Sequence, residues 1–242
     1  MIQTIYIIIL AYFALGGFGF YMINRKKDPK VAKESYTKFI AYFFIINILF
    51  FSIVIKPEIF GFLAVVISVV GIFELIKLFR LREFNRKGFF IISLIIYLAL
   101  ATGFFFFSRL EKELILFSFL VLSIFDAFSQ ISGQLFGKTK ILPSISPNKT
   151  LGGLVGGAIF AIASALLLNR IYDGTWGKSV ILASGVVAFA FAGDIAASYY
   201  KRKYNVKDYS KLIPGHGGFL DRFDSLIAGG SWVALCMYIL NF

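Results

Sequence analysis

Hydrophobic positions fall along the chain in long, predominantly apolar runs, at 2–23, 39–55, 59–79, 89–107, 114–137, 151–170, 180–200 and 225–242. Each is about the length that crosses a bilayer as a helix, roughly 17–25 residues. The pattern predicts an all-α polytopic integral membrane protein with about eight transmembrane helices, eight to nine in all. Composition agrees: 59% of the 242 residues are hydrophobic and 16% charged, with mean hydropathy +0.82. A soluble domain carries about 25% charged residues, so this chain has too little polar surface to cover a water-soluble core.

The polar connections are uneven in charge. Of the 25 lysines and arginines, 20 lie in or beside the connections near 24–38, 80–88, 138–150 and 201–224. Cytoplasmic loops carry the Lys/Arg excess, so these four are predicted to be cytoplasmic and both termini outside. The net charge of +12 is then the signature of a sided membrane protein, with no nucleic-acid partner needed. The first run has no basic residue before it and is followed by Arg25, Lys26 and Lys27, which argues against a cleaved signal peptide. One cysteine, Cys236, and one histidine, His216, leave too few soft ligands for zinc and allow no internal disulfide. Chemistry with hard cations stays open.

The acids carry the first functional signal. Before Asp126 there are six Glu and one Asp, mostly beside lysine or arginine; from Asp126 onward there are six Asp and no Glu. Asp126, Asp194 and Asp221 fall within or at the edge of apolar runs, where an ionisable group is costly and usually functional. Asp126, Gln130 and Gln134 recur every four residues and share one helix face. Ser198 stands one turn after Asp194. Asp221 and Asp224 are i, i+3 neighbours that can face one centre. Carboxylates and a hydroxyl suit Mg²⁺, which completes its shell with water and phosphate oxygens. Between the acids runs a basic, glycine-rich loop, Lys201, Arg202, Lys207, Asp208, then Pro214-Gly215-His216-Gly217-Gly218, of the kind a polyphosphate requires. A second polar segment, Ser146-Pro147-Asn148-Lys149-Thr150, leads into a helix whose positive end favours an anion. Glu74, three residues before Lys77, reads as half of an interfacial ion pair. Gly152, Gly153, Gly156 and Gly157 read as a close helix contact.

The stretch from Ser198 through Lys201-Arg202, Lys207-Asp208, Ser210 and Pro214-Gly-His216-Gly217-Gly218 to Asp221-Arg222-Phe-Asp224 resembles the signature of the phosphatidate cytidylyltransferases, the CDP-diacylglycerol synthases. Asp126 followed by Gly133 and Phe136-Gly137-Lys138, and Ser146-Pro147 with Lys149-Thr150, agree with it. The likeness covers about 126–224 and separates a region of about four N-terminal helices, 1–113, from a C-terminal catalytic region, 114–242. It implies the reaction CTP + phosphatidate → CDP-diacylglycerol + pyrophosphate, with Mg²⁺ and a second cation such as K⁺. The setting implied is a homodimer with its active site facing the cytoplasm, and the short, Phe- and Ile-rich composition points to a bacterial inner membrane. Carried over by position, Asp194, Ser198, Asp221 and Asp224 hold the cations. Lys201, Arg202, Lys207 and Arg222 neutralise phosphates beside Asp208. Ser146, Lys149, Thr150 and Asp126, with His216, Gly217 and Gly218, meet substrate. The chain departs from the family pattern at Asn148, Gly152, Gln130 and Gln134, all near the substrate cavity. A CTP-dependent polyprenol-type lipid kinase, which would release CDP, and an ion-coupled transporter with broken helices are the alternatives. No inverted repeat is visible for the latter.

Overall fold

The computed structural model describes residues 2–25, 28–81, 83, 85–213, 217–240 and 242. Lys26, Lys27 and Arg82 of the charge count, and Pro214, Gly215 and His216 of the glycine-rich loop, lie outside the described residues. Eight long helices are described: α1 (Ile2–Asn24), α2 (Pro29–Val54), α3 (Pro57–Leu81), α4 (Lys87–Phe107), α5 (Lys112–Phe136), α6 (Leu151–Leu168), α7 (Trp176–Lys203) and α8 (Leu220–Tyr238). Six of them, α2 to α7, hold stretches long and apolar enough to cross a membrane, among the described residues. The architecture is that of an all-α membrane protein.

The expected spans differ from the helices chiefly at their ends. Helix α2 starts at Pro29 and α8 at Leu220, ten and five residues before the apolar runs that predict them. Hydropathy marks only the part of a helix that matches hydrocarbon, whereas backbone hydrogen bonding carries the helix on into polar interfacial turns. Helix α8 falls short of the apolar criterion that the six meet, because its first turns carry Asp221, Arg222 and Asp224. It is packed inside protein instead, with Leu220, Phe223, Leu226, Ile227 and Val233 buried.

One correction concerns 138–150, which the sequence presents as a plain loop. Lys140–Leu142 (β1) and Ser146–Thr150 (β2) form an antiparallel hairpin, with Lys140 opposite Thr150 and Leu142 opposite Ser146. The hairpin ends directly on α6, whose N-cap is Thr150: its Oγ1 accepts from Gly153 N at 3.1 Å.

Small residues set the helix spacing around the site. Along α5 and α6, a Cβ on Gly153 would come 2.7 Å from the Ser129 carbonyl oxygen, and one on Gly152 would come 2.8 Å from that of Phe136. A side chain at 152 would therefore force the seam between α5 and α6 to shift. Gly193 does the same for α7 and α8: a Cβ there would meet Ala228 Cβ at 2.6 Å and the Asp224 carbonyl oxygen at 3.0 Å. That contact, one residue before Asp194, draws the acids of the two helices together.

Candidate active site

Helices α7 and α8 supply the acidic centre. Asp221, in the first turn of α8, has a side chain only 2% exposed and receives Lys201 Nζ on Oδ1 at 2.5 Å. Its Oδ2 accepts from Tyr209 N at 2.9 Å and Gly218 N at 2.7 Å. One carboxylate thus ties together the end of α7, the following loop and the start of α8, reaching back to its own helix terminus as a capping residue does. Lys201 also lies over the Tyr209 ring, 5.2 Å from its centroid. Burial, reinforced by the carboxylates of Asp224 and Asp221, pushes the Tyr209 phenol well above its usual range. It stays protonated and donates to the Ala197 carbonyl at 3.2 Å.

A second pair stands beside the first. Lys149, at the end of β2, forms an ion pair with Asp194 Oδ2, while Ser198 Oγ donates to Asp194 Oδ1 at 3.3 Å. The Lys149 ammonium lies over the Phe191 ring at 4.6 Å. Asp224 is within electrostatic reach of Asp194, Lys201 and Asp221, and Asp126 of α5 is within reach of Asp194, Lys149 and Arg222. Tyr42 of α2, which the sequence did not single out, borders the same region, near Asp126 and Arg222. The pairs Lys149–Asp194 and Lys201–Asp221 thus stand about two turns apart along α7, with Asp126, Arg222 and Asp224 within electrostatic reach of them.

Other candidates sit elsewhere. The Arg202 guanidinium donates to the carbonyls of Ile145 at 3.1 Å and Val206 at 2.9 Å, tying the hairpin turn to the end of α7. Thr150 serves as the α6 cap and packs against Gly133. Ser146 pairs opposite Leu142 in the hairpin. Lys207 and Asp208 are exposed, Asp208 lying against Gly217, whose φ of +89° suits glycine. Gly218 is buried against the Glu74 carboxylate. The expected Glu74–Lys77 pair is replaced by another arrangement: Lys77 is exposed, whereas Glu74 is buried and turns inward to Ser210 and the start of α8. Backbone N–H groups that need a partner hold an acid more strongly than an exposed lysine does.

The donor set, three aspartates and a serine, has the hard-oxygen chemistry of a Mg²⁺ site. Among the described residues, no three acidic, histidine or cysteine side chains already close on a single point, and lysines cover Asp194 and Asp221.

The sequence profile of the cytidylyltransferase family matches residues 110–240, more than half of the chain. This protein belongs to the cytidylyltransferase family. A phosphatidate cytidylyltransferase of Staphylococcus epidermidis is 32% identical over 200 residues, 78% of this chain and 77% of that protein. One from Staphylococcus saprophyticus is 42% identical over 115 residues, 47% of this chain and 44% of that protein. Another, from Haemophilus influenzae, is 40% identical over 121 residues, 48% and 42% of the two chains. Every residue of the two lysine–aspartate pairs of this cytidylyltransferase lies inside the matched region.

Proposed function

We propose that this cytidylyltransferase makes CDP-diacylglycerol and pyrophosphate from CTP and phosphatidate, in phospholipid biosynthesis. The observation that carries the reading is that α7 carries one partner of each pair, Asp194 with Lys149 and Lys201 with Asp221, within a chain whose relatives are phosphatidate cytidylyltransferases. An oxygen of the lipid phosphate attacks the α-phosphorus of CTP, the bond from that phosphorus to the bridging oxygen breaks, and pyrophosphate leaves with the electron pair. The nucleophile is already ionised at neutral pH, so no protein base or covalent intermediate is needed; positioning and charge neutralisation dominate.

Lys149, Lys201 and Arg222 orient and neutralise the phosphates. Asp194, Ser198, Asp221 and Asp224 would hold Mg²⁺, with a second cation such as K⁺. Mg²⁺ bound there would supply charge stabilisation on phosphate oxygens. Asp126 lines the same polar cavity, with Tyr42 near it. The apolar runs support a multi-pass protein of eight to nine spans, and the charge bias of the connections supports both termini outside and the site on the cytoplasmic face of an inner membrane. The homodimer rests on the likeness of the signature.

The test is pyrophosphate release from CTP by the purified protein in detergent, with and without phosphatidate and Mg²⁺, beside Asp194→Ala. Release that requires lipid and metal and disappears in the variant is the expected result. CDP in place of pyrophosphate would establish a lipid kinase instead.

A further inference from the structure

Glu74 lies outside the residues matched by the family profile, yet residues of the catalytic half enclose it. It is 2% exposed. Its Oε1 accepts from Ser210 Oγ at 2.6 Å and Phe219 N at 3.0 Å, and its Oε2 from Leu220 N at 2.7 Å. Helix α8 needs this partner, because no side chain of its own N-cap residue, Phe219, caps it, and the leading N–H groups of a buried helix end must be satisfied from somewhere. A carboxylate there also faces the positive end of the helix dipole. The next amide back, Gly218 N, goes to Asp221. A Cβ on Gly218 would come 2.5 Å from Glu74 Oε1, so loop and acid are in full contact. One turn of α3 holds the region twice, since Tyr200 Oη donates to the carbonyl of Leu75 at 2.8 Å.

We propose that Glu74 is a positioning residue of the transferase. By holding Ser210 at one point of the loop and the amides of Phe219 and Leu220 at another, it fixes the register in which Asp221 meets Lys201, and through them the reacting phosphates. The catalytic consequence rests on the cytidylyltransferase reading above; the hold on the loop does not. Gln in place of Glu tests the charge and the bonds together. An amide oxygen can accept from one side of the loop, but its NH₂ must then face an N–H that also seeks an acceptor.

The experiment compares the full-length protein with Glu74→Gln, Glu74→Ala and Ser210→Ala in detergent, by amide hydrogen exchange and by steady-state kinetics. Exchange across 207–222 should accelerate about tenfold or more in the Glu74 variants, with α5 and α6 unchanged. Loss of register should lower kcat by about 100-fold, while KM for CTP and for phosphatidate stays within about twofold. Ser210→Ala, which keeps both backbone bonds, should show a smaller change in the same direction, and Glu74→Gln should fall between it and Glu74→Ala. Unchanged exchange at 207–222, or a wild-type kcat in a folded Glu74 variant, would overturn the proposal. If Glu74→Ala does not fold, the Gln and Ser210 variants decide on the same readouts. A wild-type protein that makes no CDP-diacylglycerol would sink the cytidylyltransferase reading, and exchange would still decide whether Glu74 holds the loop.

Discussion

Two lysine–aspartate pairs make the centre of this protein, and they are built in opposite ways. In Lys201–Asp221 the side chains are 10% and 2% exposed, both Asp221 oxygens are occupied, and two of its three donors are backbone amides. In Lys149–Asp194 they are 21% and 35% exposed, and the further neighbours are a serine hydroxyl and one aromatic ring. Breaking a buried pair strands a charge without water, at about 3–5 kcal/mol, whereas a pair open to solvent contributes about 0–1 kcal/mol. The first pair therefore sets the shape of the site. The second can exchange its partner for a phosphate or a cation at less cost than the first, which fits the substrate contact proposed for it.

Asp221→Ala is the most severe way to break the comparison. It leaves Lys201 unpaired and two amides without acceptors, and should destabilise the protein by about 3–5 kcal/mol, abolishing activity as well. The thermal midpoint in detergent, measured beside pyrophosphate release, checks both. Lys201→Met should cost less than Asp221→Ala, since Asp221 keeps its two amide donors; equal losses would show that the amides contribute nothing.

Next in size is Gly152→Ala, which acts on the open pair from a distance. The new methyl would press on the Phe136 carbonyl oxygen, displacing the start of α6 and with it β2 and Lys149. Overpacking of this kind costs about 1–3 kcal/mol. The same midpoint measurement checks it, and a neutral result would mean that the seam can open without strain.

What the sequence made legible follows the range of the forces involved. Helices showed clearly, because the run of apolar residues that makes a span is local. The acids at 126, 194 and 221 stood out because a carboxylate in or beside an apolar run is conspicuous on its own, and Asp224 because it follows Asp221 by three residues. Glu74 was just as conspicuous, but its partners lie 136 to 146 residues away, and the nearest charge in the sequence, Lys77, was the wrong one. The hairpin at 140–150 was hidden because Ser146-Pro147-Asn148 has no strand-like composition. Its pairing depends on the α6 cap and on Arg202 gripping Ile145. Arg202 itself looked like one more cation in a basic loop, and only its geometry shows that its donors are directed to carbonyls.

Tyr209→Phe gives a smaller effect within the buried pair. It removes the bond to Ala197 and leaves the ring under Lys201, so it should cost about 0.5–1.5 kcal/mol. The sign of its pH dependence is fixed: the folded phenol titrates above the unfolded value of about 10. The wild type should therefore lose stability as pH rises past that value toward the folded one, and the variant should lose less. Parallel pH profiles for the two proteins would show that the phenol is not held protonated by the fold.

Asp194→Asn and Lys149→Gln should disturb the fold least, and for that reason they sharpen the comparison most. Asp194 is a third exposed in its pair with Lys149, so each substitution should shift stability by less than about 1 kcal/mol. Activity should nevertheless fall by about 100-fold or more, since charges aimed at reacting phosphates act in the transition state. The signature of Asp194→Asn should be a greater requirement for Mg²⁺. Lys149→Gln should leave that requirement in place and weaken the interaction with substrate phosphate. Titrating pyrophosphate release against Mg²⁺ and against CTP separates the two. Should both variants instead lose stability as Asp221→Ala does, the open pair would be a structural element like its neighbour, and the division between a pair that shapes and a pair that exchanges would fail.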